Sequence, residues 1–258
     1  MTMRAPDPER LGGLAWTIRT QGAMTKTERR TVLREIIKGQ AEYVAGRIKL
    51  LTGRTSDAAK VLEASSFTPP DSVFARQAEE AALEQSSAVM GHGYRTWMFG
   101  SGLAAIDQIE LDPELFYVSA LLHDHGIDSV VEGQDFTIRS AERAARCASE
   151  AGVDAARSDL VGDAITVHPT AGATVERDGA LGVYVGGGAA YDLIGLRTPD
   201  LSKRFRADVI EAHPRAGATK AFKALVAAES KSVPLGRFAQ LHRCGFNQLI
   251  QLAPLRPR

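Results

Sequence analysis

The chain has only two cysteines, Cys147 and Cys244, in 258 residues. Two thiols in a chain this long make no disulfide framework and fit a reducing compartment. It also lacks net charge, since 31 lysines and arginines balance 31 aspartates and glutamates. A neutral chain has no general electrostatic pull toward nucleic acid or an anionic membrane, so neither is expected as a partner. No apolar run is long enough to span a bilayer. The stretch from Leu181 to Leu196 comes nearest, but Gly186-Gly187-Gly188 interrupts it and Asp192 lies within it. The residues from Met1 to Arg10 contain no apolar signal-peptide core. These absences together predict a cytoplasmic protein. Strand signals are almost missing as well, Val183-Tyr184-Val185 being the one short β-like run.

What the chain does have is 44% apolar residues, enough to collapse around a sizeable core. The pattern is helical almost throughout. Met1 to Lys26 reads as loosely ordered, and Thr27 to Leu51 as a surface helix. Thr68-Pro69-Pro70-Asp71-Ser72 punctuates the chain, and Asp71 or Ser72 can cap a helix that buries Phe74, Ala78, Ala81, Ala82 and Leu83. Gly91 and Gly93, on either side of His92, predict a helix end or interruption there. Asp112-Pro113-Glu114 is a strong helix start, and that helix runs into His123. Ile127 to Asp135 reads as a loop. Ser140 to Ala151 is a helix closed by Gly152, and the next runs from Val153-Asp154 to His168, where Pro169 stops it. Glu176 to Leu196, Ser202 to Ala212, Thr219 to Ala228 and Leu235 to Leu252 complete the helices. The expectation is an all-α protein, with a partly helical N-terminal extension over residues 1–68 and a single helical bundle over 69–258.

One dipeptide stands out. His123-Asp124 closes the apolar run Phe116-Tyr117-Val118-Ser119-Ala120-Leu121-Leu122. An adjacent imidazole and carboxylate are costly to bury unless something pairs them. A divalent metal does so, taking a neutral nitrogen and an ionised oxygen together. His92 upstream and Asp192 downstream can complete the set. Asp192 lies among Ala, Leu and Ile, where an unpaired carboxylate is expensive. Two imidazoles and two carboxylates suit one divalent ion of zinc, iron, manganese or cobalt, whereas an all-oxygen set would suit calcium or magnesium.

The order His, His-Asp, Asp resembles the HD-domain superfamily of metal-dependent hydrolases. The likeness extends over about Pro69 to Pro254 and is nearest to the cyanamide hydratase-like branch. It rests on His92, Arg95 and Phe99-Gly100; on Leu111-Asp112-Pro113-Glu114; on Asp135-Phe136 and Ser140-Ala141; on Ala164-Ile165 with His168; and on Pro214-Arg215. The likeness implies an HD-type helical bundle with His92, His123, Asp124 and Asp192 as metal ligands. It further implies an enzyme, a hydrolase or hydro-lyase, in which metal-activated water attacks a small nitrile-like or amide-like molecule. Other HD branches fit less well. Ile127 replaces the lysine of the cyclic-dinucleotide hydrolases. Dinuclear members need two further histidines between the His-Asp pair and the last aspartate, and beyond His125 only His168 lies in that interval, so a single metal is expected.

Further residues are candidates with open alternatives. Asp124 can hold the attacking water as well as the metal, and His168 can meet the substrate or simply end its helix. Arg95 and Arg139 can hold an anionic substrate, or support Asp192 or Asp124. His125 can contact substrate or be a solvated histidine. Asp128 can orient the water or be an ordinary loop acid. His213 and Arg215 can edge the pocket. The alternatives to the hydratase are a mononuclear phosphohydrolase acting on nucleotides or phosphate esters, and a non-catalytic HD scaffold that senses a ligand. The expected partner is a small-molecule substrate, and a homo-oligomer is left open.

Overall fold

The computed structural model describes residues 6–51 and 57–255. Among them the chain forms α1 (Leu14–Thr20), α2 (Lys26–Leu51), α3 (Asp57–Val61), α4 (Val73–Ala82), α5 (Ser87–Ile106), α6 (Pro113–Leu122), α7 (Phe136–Glu150), α8 (Ala155–Val167), α9 (Val175–Asp178), α10 (Ala180–Ile194), α11 (Lys203–Ala212), α12 (Ala218–Ser232), α13 (Arg237–Arg243) and α14 (Phe246–Leu252). No strand occurs among the described residues, only an isolated bridge between Val131 and Gln134. The protein is all-α, as its sequence pattern predicts. No described helix is long and apolar enough to cross a membrane.

The axis of the fold is the pairing of α5 with α10. Helix α5 is buried on nearly all sides, from Val89 through Ala104. Small residues let other backbones come against it. A Cβ added at Gly188 of α10 would lie 2.2 Å from the Thr96 carbonyl, and one at Gly93 of α5 would lie 2.9 Å from the Leu121 carbonyl of α6. This is why Gly91 and Gly93 do not break the helix where an interruption is expected. At Gly93 backbone contact occupies the space a side chain would need, at Gly91 the Arg95 guanidinium does so, 3.0 Å from where a Cβ would lie, and α5 runs unbroken through His92. The main core packs Phe74, Phe99, Phe116, Tyr117 and Leu121 around this axis. A second cluster, with Ile127, Phe136, Leu193, Phe222 and Phe238, joins α7 and α10 to the C-terminal helices.

Other boundaries shift for local reasons. Asp135 accepts a hydrogen bond from the Thr137 backbone at 3.0 Å and so starts α7 earlier than expected. Gly179, at φ 80°, separates α9 from α10, and Gly245, at φ 88°, separates α13 from α14; each predicted single helix becomes two. The triple glycine of α10 breaks nothing.

The N-terminal segment is more ordered than its sequence suggests; of that reading, residues 1–5 lie outside the described residues. Trp16 of α1 is buried in a third cluster with Met24, Val32 and Ile36. Its indole donates to Glu28 at 2.8 Å. Arg10 bridges Asp163 at 2.6 Å and Asp178 at 2.9 Å. The fully buried Arg237 pairs with Asp135 at 3.0 Å and lies 5.5 Å from the Trp16 ring centre. Leaving either partner of such a buried pair alone costs about 3–5 kcal/mol, so these contacts fasten the segment firmly.

The packing predicts opposite effects for the same residue type. Gly188→Val should destabilise by about 3 kcal/mol through overpacking, a fall in Tm of roughly 10 °C. Gly39 lies inside α2 with nothing within 4 Å of its would-be Cβ, so Gly39→Ala should stabilise by about 1 kcal/mol. Thermal melts of the two variants measure both.

Candidate metal centre

Three helix C-termini converge on the His-Asp pair. Helix α6 begins at Asp112, whose carboxylate accepts from the Glu114 and Leu115 backbones at 3.1 and 3.0 Å. It ends at His123, which is completely buried. Helix α8 is capped by Asp154 and ends at His168. Asp192 occupies the last turn of α10. Helix C-termini carry partial negative charge and so favour a cation between them.

The two terminal histidines are oriented by the same device. His123 Nδ1 bonds the Ala120 carbonyl at 2.8 Å, and His168 Nδ1 bonds the Ile165 carbonyl at 2.6 Å. Each ring satisfies a carbonyl of its own last turn and leaves Nε2 directed elsewhere. His92 does likewise from α5, with Nδ1 bonded to Asp192 Oδ2 at 2.8 Å.

All three Nε2 atoms meet the Asp124 carboxylate. His123 and His92 approach Oδ2 at 3.4 and 3.5 Å, and His168 approaches Oδ1 at 3.5 Å. These separations exceed those of good charge-assisted hydrogen bonds. His92 Nε2, His123 Nε2 and Asp124 Oδ1 are buried with no hydrogen-bond partner. Lone pairs facing a carboxylate repel it, and unsatisfied buried polar atoms call for an explanation. A cation supplies one. His92, His123 and Asp124 form a buried group whose ligand atoms all lie within 4.8 Å of one another, able to hold a metal ion. Two imidazoles, a carboxylate and a third imidazole alongside fit a zinc-, iron-, manganese- or cobalt-type ion.

The electrostatics follow the geometry. Burial opposes ionisation of Asp124, but His123 and His168 hold it well below the usual carboxylate range. Burial pushes His92 and His168 down toward the neutral form, although Asp192 and Asp124 pull the other way. Burial also works against charge on His123, and there the adjacent Asp124 prevails and raises it.

Asp192, expected as a fourth ligand, is not in the group. Its Oδ2 is taken by His92 Nδ1, and its Oδ1 accepts from Arg95 Nε at 2.9 Å, with Arg215 Nε at 3.5 Å. Burial disfavours its charge, but Arg95 and Arg215 overcome that and hold it far below the usual range. Asp192 therefore orients His92 from behind. Arg95, expected at substrate, also donates to the carbonyls of His213 and Pro214 at 3.2 and 3.0 Å. Arg139 clasps the loop after the His-Asp pair, bonding Gln134 and the Gly126 carbonyl at 3.0 Å. His125 takes no part in the cluster, because Glu84 holds its Nε2 at 3.0 Å. Asp128 instead accepts from the Ser86 backbone and hydroxyl at 2.7 and 2.9 Å, tying the loop to the start of α5. His213 stacks flat on Tyr94 at 4.7 Å.

Two neighbours, Phe222 and Glu229, carry no sequence signal, whereas Phe136 belongs to the Asp135-Phe136 element. Phe222 of α12 packs edge-on to His92 at 4.6 Å, and Phe136 lies 5.9 Å from His168. Glu229 is buried beneath α7, where it accepts from the Phe136 backbone at 3.2 Å. No family model matches the chain, and no curated protein matches it.

Two outcomes follow. Asp192→Asn should weaken metal retention about 10–100-fold, read by equilibrium dialysis, since it loses the anion that orients His92. For Glu229, burial and then Asp135 raise the carboxyl from 4.5 to about 7. The fold thus keeps a proton that the unfolded chain releases earlier. Stability from this group is complete below about pH 4.5 and is lost as pH rises through about 7, by on the order of 3 kcal/mol. Glu229→Gln should melt above the parent protein at pH 8, and the difference should disappear near pH 4.5.

Proposed function

We propose that the protein is a metal-dependent hydrolase or hydro-lyase of the HD type, adding water to a small nitrile-like or amide-like substrate in the cytoplasm. The observation that carries the reading is the convergence of three imidazole Nε2 atoms on Asp124 at 3.4–3.5 Å. His92, His123 and Asp124 would hold the ion. A divalent ion supplies Lewis acidity and lowers the pKa of water toward neutrality.

The chain's own groups do the rest. His168 keeps its Nδ1 on the Ile165 carbonyl, so Nε2 is the free position. That atom, beside Asp124 Oδ1, is suited to take a proton from the attacking water and return it to the nitrogen of the electrophile. Burial favours its neutral form, which a base requires. Phe222 and Phe136 make the surroundings apolar, favouring a small substrate of low charge and keeping bulk water away.

A second reading, a phosphohydrolase acting on nucleotides or phosphate esters, is favoured by one observation. Nη2 of Arg95 and Nη1 of Arg215 are buried without partners. An anionic group would satisfy both.

The test combines metal analysis with a substrate panel. Protein purified without chelator should carry about one transition metal per chain. Cyanamide, simple nitriles and small amides should turn over, and nucleoside monophosphates should not; turnover of phosphate esters alone transfers the assignment to the second reading. The acid limb of the rate profile should lie below the ordinary imidazole value of 6.5, because the base form of His168 persists to lower pH. His168→Ala should lose about 100-fold or more in kcat while keeping its metal. Full activity in that variant removes His168 from the chemistry.

A further inference from the structure

Helix α2 is 26 residues long, yet it buries only Val32, Ile36 and Tyr43 against the protein. Its outer face carries Ile37, Val44, Ile48 and Leu51, exposed by 56, 56, 59 and 88%. Ala41 is exposed on the same face. Ile37, Ala41, Val44, Ile48 and Leu51 recur at spacings of 4, 3, 4 and 3. That is the two-per-heptad seam of a coiled coil, narrower than the apolar face of an interfacial lipid-binding helix. Nearer the N-terminus, Arg30 and Arg34 continue the same seam and are also exposed.

We propose that α2 is a dimerisation helix, pairing antiparallel with the α2 of a second copy of this chain about a two-fold axis. Antiparallel packing sets alternate seam positions opposite one another. Ile37 then meets the second copy's Ile48, and Ala41 meets its Val44. Symmetry repeats each layer, so every large or small side chain finds a complement. Leu51 ends beside the aliphatic stem of the second copy's Arg34.

Charge selects the orientation. A parallel pair in register would stack Arg30 on Arg30 and Arg34 on Arg34 inside the seam. The antiparallel pair moves those arginines to its ends. Beside the seam it sets Lys38 against Ala45 and Gln40 against Arg47, with no like charges opposed. The area is adequate. Each exposed aliphatic side chain withdraws on the order of 100 Å² from water, so both copies together bury about 1,000 Å², the size a specific interface needs.

Light scattering after size exclusion tests the proposal on the full chain. The expected result is a dimer that Val44→Asp converts to a monomer, raising Kd at least about 100-fold while helical content is unchanged. A parent protein that stays monomeric at 100 µM (roughly the range of weak interfaces), or a dimer indifferent to both Val44→Asp and Ile48→Asp, overturns it. Cysteine pairing tests the direction in a Cys244→Ser background. Ile37→Cys and Ile48→Cys chains should cross-link when mixed and not alone, and cross-linking of each variant with itself overturns the antiparallel arrangement. A monomer that sediments with phosphatidylglycerol vesicles would give the seam to a lipid surface instead.

Discussion

The Asp124 carboxylate lies in a closed interior with three imidazole nitrogens turned toward it. Much of the surrounding structure serves to keep them there. Each imidazole is fixed by what its Nδ1 bonds: Asp192 for His92, the Ala120 carbonyl for His123, the Ile165 carbonyl for His168. Those partners decide which nitrogen stays free, and so set the tautomers. The ends of α6, α8 and α10 add negative potential at the same place.

Holding these groups together is a backbone problem before it is a side-chain one. His92 belongs to α5, and the groups it meets include His123 and Asp124 just past the end of α6 and Asp192 of α10. Contact of α5 with α6 and α10 depends on Gly93 and Gly188, where a methyl group would meet a carbonyl oxygen at 2.9 Å or less. A glycine inside a helix ordinarily costs about 1 kcal/mol relative to alanine. Here the loss is offset by placing His92 in reach of Asp124 and Asp192. Asp128 reinforces the arrangement by closing the start of α5 from the loop that follows the His-Asp pair.

Much of this was legible in the sequence, and the exceptions have physical causes. Ser72, Asp112 and Asp154 announce helix starts through local hydrogen bonds, and the structure forms each one. His123-Asp124 was conspicuous because a buried ionisable pair needs a reason. Gly91 and Gly93 misled, since local propensity cannot tell a glycine that ends a helix from one that admits a neighbouring backbone. Gly179 and Gly245 misled in the opposite direction, their positive φ being a tertiary outcome. Phe222 and Glu229 were invisible. An aromatic or an acid in a helical pattern takes its meaning only from what packs against it, and Phe222 stands 130 residues from His92 in the chain.

Asp124 and Asp192 look equivalent in the sequence, each a carboxylate in an apolar setting that a cation could neutralise. Counter-charge separates them. Arg95 and Arg215 both reach Oδ1 of Asp192, while His92 occupies Oδ2, so neither oxygen is left in need of a cation. Asp124 has no arginine; only neutral-favouring imidazoles and one raised imidazole surround it, and its Oδ1 has no hydrogen-bond donor. The arginines therefore do more than stabilise a buried acid. By satisfying Asp192 from the protein itself they reserve it for orienting His92, and they leave Asp124 as the carboxylate of the group that could hold a metal ion. The same Arg95 also grips the carbonyls of His213 and Pro214. The segment joining α11 to α12 is thereby tied to the residue that aligns His92, and α12 in turn brings Phe222 against that imidazole.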